Sequence, residues 1–255
     1  MSETPDLLVD RDGPVLTVTL NRPEAKNAFS PAMLVAAVDA WKLLDEDPEL
    51  RVGIITGAGG DFCSGMDLKA LSEGIEPEDA ARMGDDPDLH WKALLRHFRP
   101  SKPIIAAVEG YAVAGGTEIL QATEIRVAGA SATFGISEVR RGLFPLGGST
   151  VRLQRQIAFT NAADLLLTGR FISAGEAKEM GLIGHVVPDG QAVTKAREIA
   201  AQIAANGPIA VAAVLQSMRE TAGMTEADGL ARELELGWPV FATNDAKEGP
   251  RAFKE

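Results

Sequence analysis

Short apolar runs, separated by glycine, proline and polar residues, recur along the first two thirds of the chain. Residues 15–20 (VLTVTL) alternate apolar and threonine side chains, a pattern typical of a half-buried strand. A tight turn at residues 12–14 joins them to a preceding strand at 7–10, which predicts a hairpin. Further strands are indicated by the apolar centres of residues 51–56, 104–108 and 125–128.

Helical patterns lie between the strands and predominate after residue 148. Ser30 as the N-cap and Pro31 in the first turn predict a helix over residues 31–46. Further helices are expected at 90–99, 117–122, 149–157, 161–167, 174–180, 191–205, 209–221 and 226–240, with a short strand at 185–187. Residues 72–89 carry glycines, prolines and many acids, which predicts an irregular, mobile surface segment. This order of elements predicts an α/β fold followed by a helical region.

The composition limits the classes of function that are open to the chain. Its 255 residues are 45% hydrophobic and 24% charged, as in a typical globular protein. The net charge of −11, without a basic patch, disfavours nucleic acid as a partner. Cys63 is the single cysteine, so an intrachain disulfide is excluded. The N-terminus lacks the basic and apolar regions of a signal, and no apolar run reaches membrane length, so we expect a cytoplasmic protein.

The stretch from residue 103 to 148 holds the candidate chemistry. An apolar run leads through Gly115-Gly116 into a helical segment, and a second glycine pair follows at 147–148. The first N–H groups of a helix have no partner within it and can hold a developing anion. Glu118 and Glu138 lie in the same stretch among apolar or small residues. The N–H groups could stabilise a developing negative charge, and the two carboxylates could transfer protons, so together they form a candidate active site.

Simpler roles for these residues stay open at this point. Glu118 would complement the dipole of its helix, and Glu138 would pair with Arg141. A nucleophilic role for Cys63 is weakly supported, because no histidine stands in an obvious relation to it. The histidines also lack further metal ligands at suitable spacing, so no metal site is predicted. The loop GAGGDFCSGMD has neither the lysine of a P-loop nor a dinucleotide-binding glycine pattern.

Five motifs, in order along the chain, carry a resemblance to a known family. They are NRPEAKNAFS (21–30), GAGGDFCSGMDLKAL (57–71), KPIIAAVEGYAVAGGTEIL (102–120), FGISEVRRGLFPLGGSTVRL (134–153) and LLLTGRFISAGEAKEMGLIGHVV (165–187). On these motifs the chain strongly resembles the crotonase (enoyl-CoA hydratase/isomerase) superfamily over nearly its whole length. The resemblance implies a crotonase-type spiral of strand–strand–helix repeats with the active site in residues 1–190. A C-terminal helical region, residues 191–255, would then form trimers.

The resemblance also implies an active site and a reaction. The thioester oxygen of an acyl-CoA would lie between the backbone N–H groups of Met66 and Gly115. Glu118 would act as the base toward water, and Glu138 would supply the proton to the α-carbon. The presence of both glutamates is typical of enoyl-CoA hydratases, which form a 3-hydroxyacyl-CoA without a metal or redox cofactor. An enoyl-CoA isomerase and a catalytically silent acyl-CoA-binding protein are the alternatives.

The same resemblance assigns further residues to the coenzyme A part of the substrate. They are Arg22, Ala25, Lys26, Asp67, Leu68 and Lys69. From the residues alone, the three basic side chains are equally well explained as solvated charges, and Asp67 as a helix cap. The resemblance further implies a homotrimer or a hexamer of two stacked trimers, and the charge and the short apolar runs noted above predict no nucleic-acid or membrane partner.

Overall fold

The computed structural model describes residues 5–67, 69–70 and 74–246, and its strands form two sheets. The strands are β1 (Leu7–Asp12), β2 (Val15–Leu20), β3 (Val52–Gly57), β4 (Ile104–Val108), β5 (Tyr111–Val113), β6 (Ile125–Gly129), β7 (Thr133–Gly135), β8 (Phe171–Ser173) and β9 (His185–Val187). The larger sheet has the order β1-β2-β3-β4-β6-β9, and the smaller has the order β5-β7-β8. The β1–β2 and β7–β8 pairs are antiparallel, and the other pairs are parallel.

Helices cover the larger sheet and continue beyond it at the C-terminal end. They are α1 (Pro31–Glu46), α2 (Pro77–Asp85), α3 (Leu89–Ala93), α4 (Gly115–Leu120), α5 (Ser149–Gln156), α6 (Phe159–Thr168), α7 (Ala174–Glu179), α8 (Ala192–Ala204), α9 (Pro208–Thr221) and α10 (Glu226–Gly237). The predicted cap of α1 is confirmed, because the Ser30 hydroxyl accepts a hydrogen bond from Met33 N at 3.1 Å. Within the described residues no single helix is long and apolar enough to cross a bilayer, and α8 and α9 pass that test only as a pair bent by 109°.

Alternate residues of β4 pack on opposite faces of the larger sheet. Ile104, Ala106 and Val108 belong to the main core, together with the buried Trp41 of α1. Ile105 and Ala107 belong to a second core, which the buried alanines of α8 cover. Burial on both faces explains why the β4 sequence is continuously apolar. The predicted division of the chain at residue 190 stays a prediction, and α8, which follows it, packs on the sheet.

The predicted rhythm of strand, strand and helix is confirmed. β4 joins the larger sheet, β5 joins the smaller sheet, and α4 follows. β6 and β7 repeat this division between the two sheets before the chain reaches α5. The first turn of α4 therefore lies where the chain leaves the smaller sheet.

The prediction of an irregular segment at 72–89 is wrong for the residues that form α2. Pro77 stands in the first turn of α2 with acidic residues beside it, which is a strong start signal for a helix. Arg82, near the end of α2, donates to both carboxylate oxygens of Asp39 on α1 at 2.6 Å. Residues 71–73 lie outside the described residues, and the mobility of the segment stays a prediction.

The helix expected at 90–99 is also wrong in its length. α3 ends at Ala93, and Leu95 then adopts a left-handed conformation with φ +54°, which a helix cannot continue. The short strand expected at 185–187 is confirmed as β9, whereas β5, β7 and β8, which are equally short, were not predicted because three residues are too few to show a reliable two-residue periodicity.

Candidate active site

The glycine-rich loop after β3 is held on both sides by backbone bridges. Cys63 bridges to Ala112 of β5, and Met66 bridges to Phe29 ahead of α1. Burial raises the pKa of the Cys63 thiol to about 12, so this side chain packs as a neutral group behind the loop. The loop is therefore fixed next to the start of α4.

The backbone N–H groups of Met66 and Gly115, which the family resemblance assigns to the thioester oxygen, lie on the two segments that meet here. Gly115 is the first residue of α4, so its N–H has no acceptor within the helix. Among the described residues, neither this N–H nor that of Met66 donates a hydrogen bond. A methyl group on Gly65, which has φ +100°, would lie 3.2 Å from Gly115 N and 2.9 Å from Ala114 Cβ. The missing side chain of Gly65 thus keeps the space beside the donor open.

The backbone around Gly115 is close-packed and strained. A Cβ on Gly116 would collide with the carbonyl oxygen of Cys63, so the approach of α4 to the loop requires glycine here. Ala114 has φ +49° and ψ −124°, a conformation that costs an L-residue about 1–3 kcal/mol. Its N–H donates to Gly135 O of β7 at 2.8 Å, which holds it in place. The fold thereby maintains a costly conformation immediately before a free N–H group.

Glu118 is 5% exposed and lies in the first turn of α4. Its Oε1 accepts a hydrogen bond from Ser149 N at 3.3 Å, and a Cβ on Gly147 would come within 2.6 Å of its Oε2. Burial raises the pKa of Glu118, while the N–H groups of Ser149 and Gly147, the Ser149 hydroxyl and Arg152 act in the opposite direction. A role in complementing the helix dipole does not require burial among these donors, so that role alone does not explain the position of Glu118.

Two residues that the sequence did not single out support Glu118. Gln121 Nε2 donates to Ser149 Oγ at 2.8 Å, which leaves the serine hydroxyl proton for the Glu118 carboxylate. Both residues are buried, with Ser149 at 0% and Gln121 at 2% exposure. A polar glutamine directly after the apolar Ile119-Leu120 was the available signal in the sequence.

Glu138 opens the short 3-10 turn Glu138–Arg141 between β7 and α5. Its Oε2 is buried and has no hydrogen-bond partner among the described residues. Burial raises its pKa to about 7 against the effect of its own N–H, and the negative charge of Glu118 adds to the rise. The suggested ion pair with Arg141 is not found among the described residues. Glu118 is thus close enough to affect the protonation of Glu138.

A comparison with models of known families matches residues 10–255 to that described as enoyl-CoA hydratase/isomerase. The chain belongs to this family. The crotonase resemblance is thereby confirmed, and the site just described occupies the family's motifs.

Individual relatives of this enoyl-CoA hydratase/isomerase family member agree with the match. The chain is 59% identical over 251 residues to enoyl-CoA hydratase EchA19 of Mycobacterium tuberculosis, covering 98% of this chain and 94% of the relative. It is 38% identical over 261 residues to a carnitinyl-CoA dehydratase of Salmonella paratyphi A, covering 100% and 97%. The crystal structure of an enoyl-CoA hydratase from Mycobacterium tuberculosis H37Rv matches with a TM-score of 0.89 and 40% identity, covering 98% of this chain and 96% of that one.

In this family member, Arg22 and Asp67 join two of the segments predicted to contact coenzyme A. Arg22 Nη1 donates to Asp67 Oδ2 at 2.8 Å and to Ala28 O at 2.9 Å, and its side chain is 17% exposed. Arg22 is therefore not a solvated charge. The predicted cap is confirmed, because Asp67 Oδ1 accepts from the N–H groups of Lys69 and Ala70 at 3.1 and 2.9 Å.

The other residues predicted to contact coenzyme A lie near this pair. Lys26 is half exposed, and its Nζ lies 4.2 Å from the ring centre of Tyr111. Ala25 is half-buried in the 3-10 turn Pro23–Ala25, and Lys69 is exposed. Leu68 lies outside the described residues. Contact of these residues with coenzyme A stays a prediction.

Proposed function

We propose that this chain adds water to a trans-2-enoyl-CoA to give the 3-hydroxyacyl-CoA. The observation that carries the proposal is the presence, in one stretch of the fold, of a buried carboxylate at Glu118, a half-buried one at Glu138 and two backbone N–H groups that have no partner among the described residues. The names of the relatives support the substrate class, because one is an enoyl-CoA hydratase and another a carnitinyl-CoA dehydratase. Hydration and dehydration are the same reaction in opposite directions.

The surroundings of the two glutamates support a division of roles. Glu118 faces N–H groups and a hydroxyl, which favour its charged form and suit a base that takes a proton from water. The oxygen of that water then bonds to the β-carbon. Glu138, with a pKa of about 7, retains a proton at neutral pH and transfers it to the α-carbon. Exchange of protons with solvent restores both carboxyl groups, so the net change is the addition of one water molecule.

The backbone donors stabilise the intermediate charge. As the hydroxyl group adds, the electron pair of the double bond moves toward the thioester carbonyl, whose oxygen becomes an enolate oxygen. The N–H groups of Met66 and Gly115 would donate to that oxygen, and one such donor typically contributes about 3 kcal/mol to lowering the barrier. This scheme uses no metal ion or redox cofactor.

Loss of the ultraviolet absorbance of the conjugated enoyl thioester on addition of the protein tests the proposal. We would assay a panel of enoyl-CoAs from short linear to bulky polycyclic acyl groups, because hydration removes the conjugation in every accepted substrate. An isomerase would instead raise the absorbance of a 3-enoyl-CoA by moving its double bond into conjugation. If the protein bound a saturated acyl-CoA but left the absorbance of every enoyl-CoA in the panel unchanged, the hydratase proposal would be refuted.

We also propose that the protein works as a homotrimer or as two stacked trimers. α9 and α10 pack on each other and border an apolar groove of about 450 Å³. Large apolar side chains along the two helices and the following turn are 57–75% exposed, namely Val214, Met218, Leu230, Leu234, Trp238 and Phe241. A contiguous apolar surface of this kind is typical of an interface between subunits.

A further inference from the structure

A cavity of about 950 Å³ lies between β6, β9, α5 and α9, and we call it the arginine cavity. The charged residues of its lining are five arginines and one glutamate, namely Arg99, Arg126, Arg152, Arg155, Arg219 and Glu124. The whole chain carries 25 basic and 36 acidic residues, so the cavity is positive in an acidic protein. The arginines are therefore concentrated at one place although acidic residues outnumber basic ones in the chain.

Among the described residues, Glu124 is the carboxylate that forms salt bridges with the arginines of this cavity. Arg99 and Arg219 both donate to Oε1 of Glu124, at 2.8 and 2.7 Å. Arg126 donates to three backbone carbonyl groups at 2.8–3.1 Å, and Arg152 donates to two at 2.6 and 3.4 Å. These carbonyl groups fix the two side chains but do not neutralise them. The Nε atoms of Arg126 and Arg219 are buried and have no partner among the described residues.

The arginines also oppose one another electrostatically. Burial lowers the pKa of Arg126 and of Arg152 to about 10, and the charge of Arg99 lowers both further. The pKa of Arg99 is lowered by burial and by the charge of Arg219. Glu124 acts in the opposite direction on Arg99, Arg126 and Arg152, and Glu118 does so on Arg152, so the described residues hold five guanidinium groups against two carboxylates.

We infer that the arginine cavity binds an oxyanion, a carboxylate or phosphate group that comes from outside the chain. A planar guanidinium group matches the paired oxygens of such a group, and charge-assisted hydrogen bonds of this kind are strong. The oxyanion has two possible sources, which are a free small molecule and a carboxylate side chain of a second copy of this acidic chain. Both would reduce the repulsion that Glu124 and Glu118 compensate only in part.

The arginine cavity adjoins the residues that support Glu118. Gln121 lines the cavity and donates to Ser149, and Arg152 lines it and donates to Gly147 O. The charge of Arg152 also opposes the rise in the pKa of Glu118. An oxyanion on Arg152 would weaken this effect, so occupancy of the cavity would raise the pKa of Glu118. Binding itself is measurable without any assay of hydration, which keeps this inference separable from the proposed function.

Thermal unfolding in inorganic phosphate and in sodium chloride at equal ionic strength tests the inference. If the oxyanion is a free molecule, we expect phosphate to raise the melting temperature of the parent by roughly 2–4 °C more than chloride does. Arg155→Gln, at an exposed position of the lining, should lose at least half of that increment. Arg197→Gln removes an exposed arginine of α8 outside the cavity and should keep the increment, which separates site binding from the general effect of phosphate on protein surfaces.

Sedimentation velocity of two charge-reversal variants separates the sources of the oxyanion. If the carboxylate belongs to a second copy, Arg155→Glu dissociates the assembly, Arg197→Glu does not, and phosphate adds little to the stability of the intact parent. If the oxyanion is a free molecule, Arg155→Glu abolishes the response to phosphate and leaves the assembly intact. An equal melting temperature of the parent in phosphate and chloride, combined with an undisturbed assembly of Arg155→Glu, would overturn the inference.

Discussion

Glu118 and Glu138 carry the same carboxyl group in two different surroundings. Glu118 accepts a hydrogen bond from Ser149 N and faces the Ser149 hydroxyl, whereas the buried Oε2 of Glu138 has no partner among the described residues. Donors stabilise a charged carboxylate, and burial without donors stabilises the neutral acid. In the proposed scheme, the difference between the base and the acid therefore arises from a few neighbouring atoms and not from the residue type.

Replacing either glutamate by glutamine should remove proton transfer while largely keeping the shape of the site. Glu118→Gln and Glu138→Gln are each expected to lower kcat by about 10²–10⁴-fold. The double variant should lose less than the product of the two losses, because both residues act on one addition of water. Affinity for a saturated acyl-CoA, measured by calorimetry, should change little, since in the proposed site backbone groups would hold the thioester. Near-normal turnover of either variant in the absorbance assay would refute the assigned roles.

The raised pKa of Glu138 predicts a pH-dependent cost to stability. The group has an ordinary pKa of 4.5 and one of about 7 in the folded chain. Between these values the unfolded chain loses the proton and the folded chain keeps it, so the contribution of Glu138 to stability falls as pH rises and is lost above about 7. Glu138→Gln cannot ionise, so its melting temperature should exceed that of the parent at pH 8 more than at pH 4. Glu179→Gln, at an exposed position of α7, should show no such difference, and an equal shift for Glu138→Gln at both pH values would contradict the prediction.

The pair of Gln121 and Ser149 is expected to keep Glu118 ionised. Ser149→Ala removes the hydroxyl donor and retains the N–H, so the pKa of Glu118 should rise further. We expect a several-fold lower kcat and an acidic limb of the pH–rate profile that moves to higher pH. Ser149→Thr restores a hydroxyl and should recover the parent profile, and Gln121→Met should shift it in the same direction as Ser149→Ala. A role in packing alone predicts lower stability of Ser149→Ala with an unchanged pH profile.

The sequence predicts the site residues that lie within recognisable motifs, and it does not predict contacts between segments that are distant along the chain. Met66, Gly115, Glu118 and Glu138 lie in motifs that a family resemblance identifies. The contact between Gln121 and Ser149 spans 28 residues and depends on how α5 returns toward α4. No pattern within either segment encodes that return, so this support became visible only in the structure.

At the scale of elements, segments with a signal of their own were predictable, even the three-residue β9, whereas β5, β7 and β8 were not. α1 begins at its Ser30 cap and β4 is apolar on both faces, so each carries its signal within its own residues. β5 and β7 are three residues long and exist because they pair with each other. α2 was missed because its Gly84 and acidic composition suggested irregular chain, whereas Pro77 and the contact of Arg82 with Asp39 stabilise a helix.

The loop after β3 offers a sharp test of the oxyanion site, because it holds two glycines in similar backbone conformations. Gly65 has φ +100° and Gly60 has φ +91°, so alanine is strained at both. A methyl group would crowd Gly115 N at the first position and meets nothing within 4 Å at the second. Gly65→Ala should therefore lower kcat by about 10²–10³-fold, as the loss of one oxyanion donor does. Gly60→Ala should lose a comparable amount of stability and keep its turnover. Equal turnover of the two variants would argue against an oxyanion-binding role for the N–H group of Gly115.

At the scale of the whole molecule, the two-sheet arrangement places the site at a junction. The chain crosses from the larger sheet to the smaller between β4 and β5, and α4 begins as it leaves the smaller sheet. The loop after β3 reaches the same place through its bridge to Ala112 of β5. Residues distant in sequence thus meet because successive repeats divide their strands in the same way.

The exposed apolar groove between α9 and α10 predicts an assembly at this scale. Sedimentation velocity at micromolar concentration should give a mass of about three or six times the 26.9 kDa of one chain. Leu234 lies in the groove and is 62% exposed, so a charge there should disturb contacts between chains more than the fold of one chain. Leu234→Asp is therefore expected to sediment as a smaller species with a nearly unchanged circular dichroism spectrum. Leu8→Asp, at a 37% exposed position of β1, makes the same chemical change away from the groove and should leave the assembly intact. A parent protein that sediments as a monomer would show that the groove serves another purpose.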